Sequence, residues 1–309
     1  MGWTLDHGRR GWELVRISLV VISKNEQKLD DTLCVLKEQA HSEQIEEVHD
    51  VEVIVVDASG GGLAHIEQSH PEVRWIDYRA PADVRISIPH QRNVGIRAAT
   101  GEIIVFTDSG CIPEDGWLAR LVGPLVAGSE RMTCGSTWVG DNAYSPEIGA
   151  PDPEYLEEAA TINLAFTRDI VAEVGEFDES FEYGSDVDFT RRVVACGARI
   201  RFVPDAVVVH DWGDFRRQLK RSVQYGAARV RLYRKHSRRT VDIQAMPTVP
   251  LVYGVYLLGL PLAVRYRTYL LLLLVPLWRA RRRPFPARVV ICHLAEGAGG
   301  LRELARTGI

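Results

Sequence analysis

GEIIVFTDSGCIPEDGW, residues 101–117, is the stretch whose reading decides the fold. Its apolar run Ile103, Ile104, Val105, Phe106 has the character of a buried strand and stops at Asp108-Ser109-Gly110. In open α/β sheets the crevice at the carboxyl ends of the strands is where ligands bind, so a carboxylate placed there faces a ligand. Taken alone, Asp108 could equally cap the turn that leads to the helix near Trp117.

Working outward, the first half alternates short apolar runs with amphipathic stretches. Residues 16–22 (RISLVVI) and 51–56 (VEVIVV) read as buried strands, with 73–76 and 102–107 as a third and fourth. Between them, residues 26–39 place Leu29, Leu33 and Leu36 on one helical face, and residues 88–99 read as another helix. Such alternation predicts an α/β fold with a mostly parallel central sheet. Three strands then end in polar residues, Ser23-Lys24-Asn25, Asp57-Ala58-Ser59 and Asp108-Ser109-Gly110, which line one edge of that sheet. No spaced glycine fingerprint or Walker loop follows the first strand, which sets aside a standard dinucleotide fold and a P-loop enzyme.

Beyond residue 132 the alternation breaks. YSPEIGAPDP (144–153) reads as a flexible loop, 186–195 as a helix after Gly184-Ser185, and 199–203 with 206–209 as a strand pair closing on His210-Asp211-Trp212. Acids gather at the start of the 186–195 helix, where the helix dipole favours negative charge.

The net charge of −4 conceals an asymmetry. Residues 216–288 hold 17 Lys/Arg against one acid, while residues 1–215 hold 18 against 38. The division predicts a body over 1–215 and a basic, hydrophobic C-terminal region over 216–309, and it is the latter that should meet an anionic partner. Residues 214–239 read as a long basic helix. Two apolar runs follow, 246–264 and 268–278, with Arg265 and Arg267 between them and RARRR after them. The second is too short to span a bilayer and the first is broken by Pro and Gly. The pattern predicts a monotopic hairpin in one leaflet, its arginines at lipid phosphates and Trp278 and Tyr253 at the interface. A helical hairpin packed on the sheet or on a second subunit is the alternative. Nucleic acid is a poorer partner than a membrane surface, given the leucine run and the acidic body.

Five scattered cysteines without a Cys-x-x-Cys pair argue against a disulfide framework and a structural zinc site, and suit a reducing compartment. The N-terminal residues lack the apolar core of a signal peptide, so the expected location is cytoplasmic, peripheral or monotopic on the inner membrane face.

The ordered series SLVVISKNE, VEVIVVDAS, HQRNVGIRAATGEIIVFTDSGCIPEDGWL and INLAFTRDIVAEVGEFDESFEYGSDVDFTRRVVACGARIRFVPDAVVVH, between Ile17 and Trp212, resembles glycosyltransferase family 2, whose fold is GT-A. The resemblance implies an inverting, hexosyltransferase-type enzyme that moves a sugar from a nucleotide-sugar donor to an acceptor hydroxyl. With the hydrophobic tail, it implies a lipid-linked or otherwise hydrophobic acceptor at the membrane. Asn25, Glu26 and Asp57 match positions that hold the base and ribose; a carboxylate suits paired hydroxyl or N–H donors. Arg92 and Asn93 match an Arg-Asn pair near the nucleotide. Asp108, with Ser109, falls at the Asp-x-Asp motif that holds Mg²⁺ or Mn²⁺ against the diphosphate, and His210 matches a histidine that approaches that metal. Asp186 matches the general base.

Two positions depart from the pattern. Gly110 stands where the second aspartate of the motif belongs, which implies a weaker metal site, and Ser185 replaces the glutamate before the base. Asp186 could be only an N-terminal cap, Asp188 should pack or position the acceptor loop, and Phe177, Phe181 and Tyr183 are either an acceptor shelf or core. The departures leave open a GT-A-like binding or scaffold protein that has lost catalysis. A nucleotidyltransferase is disfavoured, since Ser23-Lys24-Asn25-Glu26 is not its Gly-rich basic loop.

Overall fold

In a computed structural model the chain is described over residues 15–41, 48–84, 87–139, 154–211, 213–236, 248–281 and 285–307. The loop expected at 144–153, Trp212 and the end of the basic helix at 237–239 lie outside the described residues.

The first half is built as its apolar runs dictate. Strand β1 (Val15–Ser23), helix α1 (Leu29–Ala40), β2 (Val48–Asp57), α2 (Ala64–Ser69), β3 (Arg74–Asp77), α3 (Ile88–Ala98) and β4 (Ile103–Asp108) follow one another. Their strands lie side by side in the order β3-β2-β1-β4, all parallel. Successive side chains of a strand point to opposite faces. Ile17, Leu19 and Val21 therefore pack with Leu29, Leu33 and Leu36 of α1 on one side. Val20 and Ile22 pack with Ile96 of α3 and Phe106 on the other. Both faces being covered, residues 19–22 of β1 and 103–106 of β4 are apolar without interruption, and the strands end at Ser23 and Asp108.

The second half changes direction. Strand β5 (Cys111–Pro113) and helix α4 (Trp117–Val126) lead to β6 (Met132–Val139), β7 (Tyr155–Leu156), β8 (Asn163–Thr167), α5 (Asp169–Val174), α6 (Ser185–Ala195) and β9 (Ile200–His210). The sheet continues from β4 as β8-β6-β9-β5, with β7 on β9. Strand β8 is antiparallel to both β4 and β6, and β5 and β7 are antiparallel to β9, so the sheet, nine-stranded among the described residues, is parallel through β1–β4 and mixed beyond. The segments 199–203 and 206–209 are not a strand pair but one strand. Along β6 the register passes from Gly135 opposite Val203 to Ser136 opposite Val207, so residues 204–206 bulge out. Pro204 has no N–H to give the ladder, which suits it to a bulge. Asn163 fills the gap: its Nδ2 donates to the carbonyls of Ser136 (2.7 Å) and Ala206 (2.8 Å), and its Oδ1 accepts from Trp117 Nε1 (2.8 Å).

The basic tail folds back onto the body. Helix α7 (Phe215–His236) runs alongside α11 (Pro286–Thr307), with α8 (Thr248–Leu258), α9 (Leu262–Arg265), a 3₁₀ turn (Arg267–Leu273) and α10 (Leu274–Arg279) between them in sequence. Helices α7 and α11 touch backbone to backbone, for a Cβ on Gly226 would stand 1.9 Å from the carbonyl oxygen of Glu296. Among the described residues no helix is long and apolar enough to cross a membrane.

Burial of Glu296 at this contact pushes its carboxyl up to about 7 from the usual 4.5, with Arg229 pulling the other way. An acid whose pKa is raised on folding binds more protons folded than unfolded. Its contribution is therefore complete below about pH 4.5 and is lost as pH rises through about 7. Glu296→Gln is expected to raise stability by about 1–2 kcal/mol at pH 8, discounted for partial solvation, and to do nothing at pH 4. Thermal melts of both proteins across that range decide it; equal melting temperatures at pH 8 would exclude the strained carboxylate.

Candidate active site

The polar ends of β1 and β2 are tied together before any ligand arrives. Ser23 O accepts from Ala58 N at 2.9 Å, and Asn25 N donates to Ser59 Oγ at 2.7 Å. Ser59 in turn donates both N–H and hydroxyl to Asp57 Oδ1, at 3.2 and 2.5 Å. Asn25 adopts the left-handed region at φ 57°, turning the chain out of β1 toward α1. Asp57 is 2% exposed, and burial holds its carboxyl above the usual range against the pull of the Ser59 bonds. The structure brings Asn25 and Asp57 together through Ser59, and Glu26 stands half-buried beside them, 3.8 Å from Arg217.

Gln91 has a place here that sequence reading missed. It is buried on α3, and its Nε2 donates to the carbonyls of Ser23 and Val56, both at 2.8 Å, while Ser87 holds its Oε1. One amide thus pins the ends of both strands. The signal was present in the quoted HQRN, but a glutamine carries no charge to single it out.

Arg92 and Asn93, expected near the nucleotide, also hold the α5–α6 connection in place. Both side chains are buried and bonded within the chain, with Arg92 Nε left without a hydrogen bond among the described residues. Asn93 gives both amide hydrogens to Phe177 O and Glu179 and accepts from Phe177 N, so its hydrogen bonds bracket the 177–179 turn. Arg92 lies over the Phe177 ring and donates to Ser185 Oγ at 3.1 Å, bracing the N-terminus of α6. Ser185, where the resemblance has a glutamate, is thus the acceptor for this arginine. Phe177 belongs to an aromatic core cluster with Phe106 and Phe189, and Phe181 is buried as well, so neither is an acceptor shelf.

Asp108 ends β4 opposite Ile22, with Ser109 half-buried in the turn that follows. Gly110 has φ +86°, a conformation that L side chains rarely adopt, which gives a backbone reason for the missing second carboxylate. Its N–H donates to Thr32 Oγ1 of α1 at 2.9 Å, locking the turn. The chain then enters β5, whose Cys111 pairs with His210 of β9. His210 Nδ1 lies 3.5 Å from Cys111 Sγ. Burial lowers the His210 pKa and Arg221 adds to this, while Asp108 pulls upward, so both Asp108 and Arg221 are felt at the imidazole. A neutral imidazole beside a carboxylate is a donor set that suits a divalent cation.

Asp186 occupies the first turn of α6, half-buried, with Oδ1 accepting from Val187 N at 2.9 Å. The helix start is enforced by Gly184 in the left-handed region before it. Asp188 faces the other way and is wholly buried. It accepts from Arg192 Nε at 3.0 Å, Lys235 Nζ at 2.7 Å and His236 Nε2 at 2.9 Å. Asp188 therefore ties α6 to the far end of α7.

Helix α7 also contributes to the crevice. Tyr225 packs edge-to-face on Tyr183 with ring centroids 5.9 Å apart. Burial, reinforced by Asp186 and Asp108, pushes the Tyr225 hydroxyl up to about 12. Arg217, Arg221 and Tyr225 thus reach Glu26, His210 and Tyr183 from a helix that the charge pattern had assigned to the tail. Nothing local marks them, since their role depends on where α7 docks.

A sheet whose parallel half ends in Asp57 and Asp108, with an acid-led helix and a histidine strand closing over the same edge, is the GT-A glycosyltransferase fold. Residues 18–147 match Glycosyl transferase family 2, and the chain carries a domain of that family. Among solved structures it resembles the mannosyltransferase PcManGT from Pyrobaculum calidifontis in complex with GDP-Man and Mn²⁺, with a TM-score of 0.67 at 18% identity over 94% of this chain and 88% of that one. GalNAc-T7 with UDP, GalNAc and Mn²⁺ matches at a TM-score of 0.50 and 16% identity, over 70% of this chain and 51% of that one. Glycosyltransferase AglE of Haloferax volcanii is 28% identical over 46% of this chain and 50% of its own length. The pre-mycofactocin glycosyltransferase of Mycobacterium tuberculosis is 31% identical over 49% and 36%. The chain thus spans half or less of the length of these two relatives.

Proposed function

We propose that the protein transfers a sugar, with inversion, from a nucleotide-diphosphate donor to a hydroxyl of a lipid-linked or hydrophobic acceptor, at the cytoplasmic surface of a membrane. One observation carries the reading: Asp57 and Asp108 end strands on either side of β1, and Asp108 is felt at both His210 and Tyr225, where Asp186 is felt as well. Asn25, Glu26 and Asp57 receive the nucleoside end of the donor. Asp108, assisted by Ser109, and His210 are the residues that would hold Mg²⁺ or Mn²⁺; when bound, the ion neutralises charge on the departing diphosphate. Asp186 takes the proton of the acceptor hydroxyl as its oxygen bonds to the anomeric carbon, and the carbon–diphosphate bond breaks on the opposite face. Tyr183 and Tyr225 wall the acceptor side. All five cysteines are unpaired, in keeping with a reducing compartment.

Melting the full chain with UDP-, GDP- and dTDP-sugars, each with and without Mn²⁺, tests the donor site. One nucleotide class is expected to raise the melting temperature by several degrees only with metal, and Asp108→Ala is expected to abolish that shift. Stabilisation by none of them, or an undiminished shift in the variant, would overturn the assignment. Stabilisation without turnover under any metal condition would instead make the protein a nucleotide-binding scaffold.

A further inference from the structure

A second group of metal-ligating side chains lies outside this crevice. Asp30 and Cys34 sit one turn apart on the same face of α1, and His70 follows the end of α2. Their ligand atoms all lie within 4.8 Å of one another, with His70 Nε2 2.8 Å from Asp30 Oδ1. His70 is only 3% exposed, so its ring is fixed, whereas Cys34 is exposed and unpaired. The other ring nitrogen, Nδ1, makes no hydrogen bond and stands 3.7 Å from Glu72, itself held by Lys37 at 2.7 Å.

We propose that Asp30, Cys34 and His70 bind a borderline-soft divalent cation of the zinc class, which clamps α1 to α2. Oxygen, thiolate sulfur and imidazole nitrogen supply three ligands, and the solvent-facing side leaves a fourth position for water. Thiolate and imidazole favour zinc over the hard cations suited to Asp108, so the two sites differ in metal. The absence of a Cys-x-x-Cys pair does not bear on such a site, because its ligands come from two helices and only one is a cysteine. The clamp has a purpose in the fold. Helix α1 leaves the loop bearing Asn25 and holds the Asp108 turn through Thr32, while α2 leaves the loop that follows Asp57. His65 of α2 already meets Gln27 at 3.0 Å, so an ion at Asp30, Cys34 and His70 would fasten the same pair of loops a second time.

Without metal, the His70–Asp30 contact is a hydrogen bond that has no need of Cys34, and this separates the two cases. Co²⁺ is titrated into the full chain with Mg²⁺ in excess to occupy the harder site. One equivalent is expected to give a thiolate-to-cobalt charge-transfer band that Zn²⁺ abolishes, with a rise in melting temperature. Cys34→Ser is expected to lose the band, Asp30→Asn to weaken cobalt binding at least about tenfold, and Asp108→Ala to leave it unchanged. Cys34 and Asp30 are exposed, so neither change threatens the fold. No charge-transfer band, or one that persists in Cys34→Ser, would overturn the proposal.

Discussion

Asp186→Asn is expected to lower sugar transfer by about 10²–10⁴-fold while leaving donor binding intact. The two side chains have the same shape, and asparagine retains an oxygen for the Val187 N–H that Asp186 accepts at 2.9 Å. What the variant loses is the ability to take a proton. If Asp186 served only to cap α6, asparagine would cap as well and transfer would continue at the wild-type rate. Rate and donor affinity, measured on the same preparation, therefore separate the two roles. Donor binding should survive because Asp57 and Asp108 reach the crevice from β2 and β4, not from α6.

The second large effect is expected at the lipid surface. The 3₁₀ turn and α10 leave Leu271, Leu274 and Trp278 at 58%, 57% and 63% exposure, beside the exposed Leu270, Leu272 and Val275. Arginines flank them: Arg281 lies over Trp278, and Arg265 over Tyr266. Full burial of one such side chain is worth about 1.5–3 kcal/mol, and each basic residue near an anionic surface adds about 1 kcal/mol. Leu271→Glu, Leu274→Glu and Trp278→Glu together are expected to weaken cosedimentation with phosphatidylserine vesicles at least about a hundredfold, with the melting temperature unchanged. Binding of the unaltered protein should weaken with salt, as charge screening requires. If it ignores vesicles, and the triple change instead converts a dimer to a monomer, the apolar hairpin serves a second copy of the chain and the membrane reading falls.

How much was legible in the sequence follows from how local each feature is. Strands β1, β2 and β4 could be read because burial on both faces leaves uninterrupted apolar runs, and the polar residues that stop them are the site itself. Helix α6 was legible from its acids. Other features were not. Strand β8 inserts antiparallel between β4 and β6, a pairing with no local signature. The bulge in β9 looked like a strand end because Pro204 interrupts the ladder, and only the distant Asn163 shows that the strand continues. The partners that Arg92 and Asn93 meet within the chain, Ser185 and Phe177, could not be read, since they lie over 80 residues away.

The triple tether on Asp188 has a consequence for how the molecule can be divided. Arg192 lies in its own helix, but Lys235 and His236 come from the end of α7, past the point where the charge changes sign. A chain ended at residue 215 would leave that carboxylate in the core with two of its three hydrogen-bond donors gone, two residues from Asp186. Engineering meets a rule here: residues 1–215 cannot be moved to another protein with this anchor intact unless α7 moves with them.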